Sequence, residues 1–254
     1  MTTDPYLIKR GTDLQESCTS VLAQGRGKSG KTTFACTWPD PLIISVDPNR
    51  APFATFPDVQ VIVAPTVGVI ESRILPDLKA GKIEARTVVL DSLSFFSDHW
   101  ADRLMGTRTS YAQGQGQQAS VSLRRFMLQF IELKTSPNRP YNIVVTCHDA
   151  PRSEGEDGPK RIEPVTIGAL RESIARYFDL VLLFEKESRA VTQNGKAEII
   201  DAYKARTIAP DQHRVAGGSL WGRKLPAVIE PPTYAQLRKS VGLTVDFEPK
   251  VVVK

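Results

Sequence analysis

The sequence predicts an α/β protein: a mostly parallel twisted sheet flanked by helices, followed by a C-terminal β-hairpin and a small appendage. Three observations point there. Short apolar runs alternate with longer amphipathic stretches along most of the 254 residues, as strand–helix–strand units require. One run, Thr87-Val-Val-Leu-Asp91, is apolar on both faces, as a central parallel strand should be. The turn after the first run, Gly25-Arg-Gly-Lys-Ser-Gly-Lys-Thr32, fits G-x-x-x-x-G-K-[ST] between a strand and a helix.

In order, the first strand covers residues 20–24, and a helix runs from Lys31 to about Trp38, where Pro39 and Pro41 stop it. Strands at 42–46 and 59–63 end in turn residues. A helix over 67–80 leads to the strand at 87–91, and a helix over 92–105 follows. Residues 106–120, rich in Gly and Gln with little apolar content, predict a mobile loop. A helix over 121–134, a buried strand over 141–147 and a second polar loop at 149–164 come next. A short helix at 168–177 then precedes a strand at 179–185. Runs 189–192 and 197–203 are joined through Asn194-Gly195, a pair that favours the tight turn of a hairpin. Residues 1–208 are expected to form the core. Residues 209–254, with Pro231-Pro232 and one helix near 234–241, form the appendage.

A formal net charge of +5 suits a polyanionic partner without requiring one. Cys18, Cys36 and Cys147 lack CxxC spacing and read as buried reduced thiols rather than a disulfide frame or zinc site. The polar start and the lack of a long apolar run predict neither a secretory signal nor a membrane span. The protein is therefore expected to be cytoplasmic.

The glycine-rich turn carries the strongest chemistry. Successive backbone N–H groups can cradle a triphosphate only where side chains do not collide, and the following helix adds its positive end. Gly25, Gly27, Lys28, Ser29, Gly30, Lys31, Thr32 and Thr33 are the candidate nucleotide-binding residues. Lys31 reaches the terminal phosphates, and the Thr32 hydroxyl can ligate Mg²⁺. Asp91 ends a buried strand at the sheet edge where ligands bind. It is the second magnesium candidate through water, or a cap for the next helix. ATP with Mg²⁺ is the expected ligand pair.

From about Ser20 to Arg206 the order of motifs resembles the RecA-like core, most closely the phage single-strand annealing proteins built on a minimal RecA-like P-loop ATPase. That resemblance implies DNA-binding loops at 106–120 and 149–164, and a phosphate sensor at His148, which the residues alone leave as either a sensor or a strand-end histidine. It also implies that Lys204-Ala-Arg206 is the K-x-R pair that ring- and filament-forming relatives insert into a neighbour's site. By itself that pair reads rather as a solvated hairpin edge, which blunts unwanted strand pairing. Such enzymes commonly carry a water-positioning Glu after the second strand. Here Asn49 stands in its place and Asp47 is the remaining candidate base, so slow turnover or use of ATP as a binding switch is expected.

Arg108 and Tyr111 in the first loop, Arg124 and Arg125 beyond it, and Arg152, Lys160 and Arg161 in the second supply cations and a stacking ring suited to single-stranded DNA. Glu154, Glu156 and Asp157 oppose them. The expected function is therefore ATP-dependent single-strand binding and annealing in phage recombination by a homo-oligomer, ring or filament, in the bacterial host's cytoplasm. Two alternatives stay open: a P-loop small-molecule or nucleotide kinase, and a nucleotide-gated adaptor such as a helicase loader. The position of the Asp91 strand relative to the first strand bears on the kinase reading.

Overall fold

The computed structural model describes residues 18–63, 65–106, 114–153, 160–193, 196–209, 216–220 and 223–251. Strands β1 (Ser20–Gly25), β2 (Pro41–Ser45), β3 (Gln60–Val63), β4 (Thr87–Asp91) and β5 (Asn142–Cys147) alternate with helices. These are α1 (Lys31–Cys36), α2 (Val67–Val69), α3 (Leu75–Lys79), α4 (Leu93–Met105) and α5 (Gln115–Ile131). A π-helical turn, Ile70–Ile74, joins α2 to α3. Downstream lie β6 (Asp149–Ser153), β7 (Lys160–Pro164), α6 (Leu170–Ser173), β8 (Leu180–Gln193), β9 (Lys196–Arg206), β10 (Gly217–Gly218), β11 (Val228–Ile229) and α7 (Tyr234–Ser240).

The main sheet runs β11-β9-β8-β1-β5-β4-β2-β3, with β10 added beside β8. Pairings among β8, β1, β5, β4, β2 and β3 are all parallel, whereas β9, β10 and β11 are antiparallel additions. The Asp91 strand is separated from the phosphate-loop strand by β5. That order differs from one in which the two strands adjoin, which weighs against the kinase reading.

Strand alternation divides the core. Leu22, Val88, Leu90, Ile143, Val145 and Val181 face helices α2 to α6. Their neighbours Val21, Ala23, Val89, Val144, Leu180 and Leu182 face α1 and the C-terminal segment, as a period of two on a sheet buried on both faces requires. On the first face Phe96 and Trp100 of α4 meet Phe126 of α5 at centroid distances of 4.8 and 5.4 Å. On the second, Trp38 packs 5.0 Å from Tyr234, and the Tyr234 amide donates to Thr37 Oγ1 at 2.9 Å. Residues of the C-terminal segment, Leu220, Leu225, Ile229, Leu237 and Val241 among them, thereby share one core with α1.

Parts of two predicted loops are regular structure. Within 106–120, α5 begins at Gln115 instead of 121, because Ala119 and Ser120 already sit buried against the protein. Residues 107–113 lie outside the described residues. In the stretch 149–164, residues 149–153 and 160–164 pair as antiparallel strands from Asp149↔Pro164 to Ser153↔Lys160, and residues 154–159 lie outside the described residues. The predicted 189–203 hairpin is longer than expected: β8 and β9 pair from Leu183↔Arg206 to Gln193↔Lys196. The Asn194-Gly195 turn lies outside the described residues. Among the described residues, no helix is long and apolar enough to cross a membrane.

Candidate functional site

A cleft of about 780 Å³ lies at the carboxyl ends of the parallel strands and is lined by Gly27 to Thr33, Asp47, Asp91, Thr146 and His148. Local chain chemistry builds its floor. Lys28 takes φ 61 and Gly30 φ 94, left-handed conformations that turn successive N–H groups toward one side. The glycines serve different ends. A Cβ at Gly25 would lie 2.5 Å from the Phe184 carbonyl oxygen, and one at Gly30 would lie 3.0 Å from the Tyr203 ring, whereas at Gly27 it would meet nothing within 4 Å. Gly25 thus lets β1 pack on β8, and Gly30 supplies both the left-handed turn and room for an aromatic ring.

Lys31 is buried, with its ammonium donating to the Gly25 and Arg26 carbonyl oxygens at 2.7 Å each. Burial holds its pKa below the ordinary lysine value, while the carboxylates of Asp149, Asp91 and Asp47 pull the other way. The Thr32 hydroxyl lies 3.2 Å from both Asp91 carboxylate oxygens, and the Thr146 hydroxyl also donates to Asp91. Asp91 is 1% exposed. Burial raises its pKa, and the hydroxyls of Thr146 and Thr32 counter the rise.

The Asp91 carbonyl accepts the amides of Val46 and Asp47 at 2.8 and 3.1 Å, which carries the end of β2 over the site. Asp47 Oδ2 then stands 3.7 Å from His148 Nε2. His148 is fixed by its amide donating to Ser94 Oγ at 2.9 Å and by Phe95 edge-on at 5.9 Å. Burial, then the Lys31 charge, lowers the His148 pKa, with Asp47 opposing, so the imidazole is neutral at pH 7. Asn49 faces the cleft too, and its amide donates to Asp47 Oδ1 at 2.7 Å.

These residues fit a nucleotide with a hard divalent cation. A buried carboxylate with a hydroxyl beside it is an all-oxygen donor set of the kind Mg²⁺ takes together with phosphate oxygens. Among the described residues no cluster of three or more His, Cys, Asp or Glu forms a metal cage.

The outlying candidates are placed as follows. Lys204 donates to Glu187 at 2.9 Å and Arg206 to Glu185 at 2.9 Å. Neither lines the cleft of its own chain. Arg124 is exposed and stands 5.7 Å over the Tyr177 ring, and Arg125 is exposed on the same helix. Both sit inside α5, not at its start. Arg152 is exposed on β6, 3.8 Å from Glu163. Lys160 and Arg161 belong to β7; their side chains, like Arg108 and Tyr111 entirely, lie outside the described residues.

Three parts of the cleft escaped the sequence reading. Thr146 is a polar residue inside an apolar strand, two positions before His148, and that alternation was the available signal. Pro48, Ala51, Pro52 and Thr55 form one wall, and Tyr203, Pro231 and Pro232 another. No motif marks either wall.

No curated protein matches the chain. The crystal structure of the RadB recombinase is similar at 12% identity and a TM-score of 0.42, over 84% of this chain and 86% of that one. The family described as AAA domain matches residues 18–214, which span every residue around the phosphate loop described above except the Pro231–Pro232 wall. By that match over most of its length, the chain belongs to the AAA domain family.

Proposed function

We propose that this protein binds ATP with Mg²⁺ and uses it to control binding and annealing of single-stranded DNA in phage recombination, acting as a homo-oligomer. The observation that carries the nucleotide part is the convergence of Lys31, Thr32 and Asp91 with the Asp47–His148 pair at one end of the parallel sheet. Thr32 and Asp91 would hold the magnesium, which when bound neutralises charge on the terminal phosphates. Lys31 exchanges its loop carbonyls for phosphate oxygens. Asp47 takes a proton from the attacking water while neutral His148 orients the terminal phosphate. Asn49, which faces the cleft in place of a water-positioning carboxylate, favours slow turnover.

Two features support the DNA part. The β6–β7 hairpin begins at the residue after His148, so a change at the sensor position is transmitted directly to the strand bearing Arg152. Lys204 and Arg206 stand outside the cleft of their own chain, which suits completion of a neighbour's site. A nucleotide-gated adaptor is the second reading, favoured by Asn49 standing in the cleft. Anisotropy of a labelled oligonucleotide, titrated with protein across a salt series with and without Mg·ATP, tests the proposal. ATP-dependent binding that weakens steeply with salt is expected. No binding at low salt under either condition would sink it and leave the adaptor reading.

A further inference from the structure

The cleft is longer than a triphosphate needs. Asp47, Asp91, Thr146 and His148 sit at the ends of β2, β4 and β5, on one side of the phosphate loop. Across the loop, on the β8–β9 side, the cleft continues to Lys186, Tyr203, Pro231, Pro232 and Thr233. A nucleotide whose terminal phosphate lies at the first group must place its nucleoside toward the second.

That second end is built as an apolar platform. Tyr203 packs on Gly30, the one loop position whose missing Cβ makes room for the ring. Strand β11 pairs with β9 through Val228↔Arg206 and Ile229↔Ala205, and the two prolines just beyond end that pairing beside Tyr203, since they have no N–H to donate. The segment is held in place from both sides. Thr233 caps α7 by accepting the Gln236 amide at 3.1 Å, and Tyr234 is bonded to Thr37 of α1.

Polar groups able to read a base edge are scarce there. The Lys186 ammonium is paired with Asp201 at 2.6 Å, and the Thr233 hydroxyl oxygen already accepts the Gln236 amide. We propose that the Tyr203 ring, walled by Pro231 and Pro232, seats a purine base by stacking alone, so the site accepts adenine and guanine nucleoside triphosphates alike. The inference rests on the nucleotide-binding reading above and specifies which part of the cleft takes which part of the ligand.

Binding of ATP, GTP and inorganic tripolyphosphate, each with Mg²⁺, tests it by calorimetry on the full chain and on Tyr203→Ala, Tyr203→Leu and Tyr203→Phe. Leu refills the space over Gly30 without an aromatic face, so it separates stacking from propping of the loop. The expected result is a loss of about tenfold or more in ATP and GTP affinity for Ala and Leu, near-native binding for Phe, and tripolyphosphate unchanged in all. ATP and GTP should differ by less than about tenfold in the unaltered chain. Parallel loss of tripolyphosphate in both Ala and Leu, unchanged ATP affinity in Leu, or a larger preference between the purines overturns the proposal while leaving the nucleotide-binding reading of the unaltered chain standing. Failure of the unaltered chain to bind either tripolyphosphate or ATP overturns the underlying reading instead.

Discussion

Replacing Asp91 with Asn should stabilise the ligand-free protein and at the same time remove its response to nucleotide. The carboxylate is 1% exposed, and burial raises its pKa above the ordinary value. A group with a raised carboxyl pKa favours the folded state when protonated, so at neutral pH its charge opposes folding. Asn keeps an acceptor for Thr146 and can turn its amide toward the Thr32 oxygen, so no hydrogen bond need be lost. Lys31 loses some support, but Asp91 is not its main electrostatic partner, and its two loop carbonyls remain. Each kcal/mol gained corresponds to a rise of about 2–4 °C in Tm for a chain of this size. In the unaltered protein, Mg·ATP at a hundred times its Kd adds about 2.7 kcal/mol, or about 5–10 °C, and Asp91→Asn should show little of that. Thermal melts of both proteins with and without Mg·ATP give all four values. A lower ligand-free Tm for the variant, or an undiminished nucleotide shift, refutes the reasoning.

Three further outcomes are expected. Because the folded pKa of His148 is lowered, the unfolded chain binds the proton more readily. Stability should therefore be lost as pH falls below about 6.5 toward the folded value, and Tm measured from pH 8 to 5 should fall less in His148→Asn than in the unaltered chain. Tyr234→Ala removes a ring that is 2% exposed against Trp38 and α1 and should cost about 3–5 kcal/mol in denaturant unfolding. Arg206→Ala breaks only a half-exposed pair with Glu185, worth at most about 1 kcal/mol, so Tm should hardly change. ATP turnover should fall at least about tenfold where the protein self-associates and stay unchanged when dilute, and equal turnover at both concentrations would remove the trans-acting role.

Much of this was legible in the sequence because burial on both faces leaves few choices. The run from Thr87 to Asp91 is a strand to the residue, since its apolar content and the polar Asp that ends it agree. The phosphate loop was legible because its spacing states a backbone requirement. Helix α5 was misjudged at its start because its first turn is glutamine and glycine, and only Ala119 marks a buried side before Leu123. The β6–β7 hairpin was hidden because Pro151 and Pro164 lie within its strands, where proline ordinarily argues against pairing. The Tyr203–Pro231–Pro232 wall was hidden for a different reason. It is assembled from β9 and the segment before α7 by strand pairing, and nothing in either stretch alone requires a ligand.

The β8–β9 ribbon has a consequence that follows from counting alone. Lys186, Asp201 and Tyr203 share one face, whereas Glu185, Glu187, Lys204 and Arg206 share the other. The two sets are separated only by odd and even position along the strands. Deleting Lys204 while Ala205 stays anchored removes a cation of the second set and moves Tyr203 and Asp201 one position along the strand, turning the tyrosine and the partner of Lys186 to the opposite face. Deleting two restores the assignment and shortens the ribbon. Evolution of this chain can thus vary the ribbon's length in pairs of residues, while any odd change strikes the cleft and the outer cationic face together.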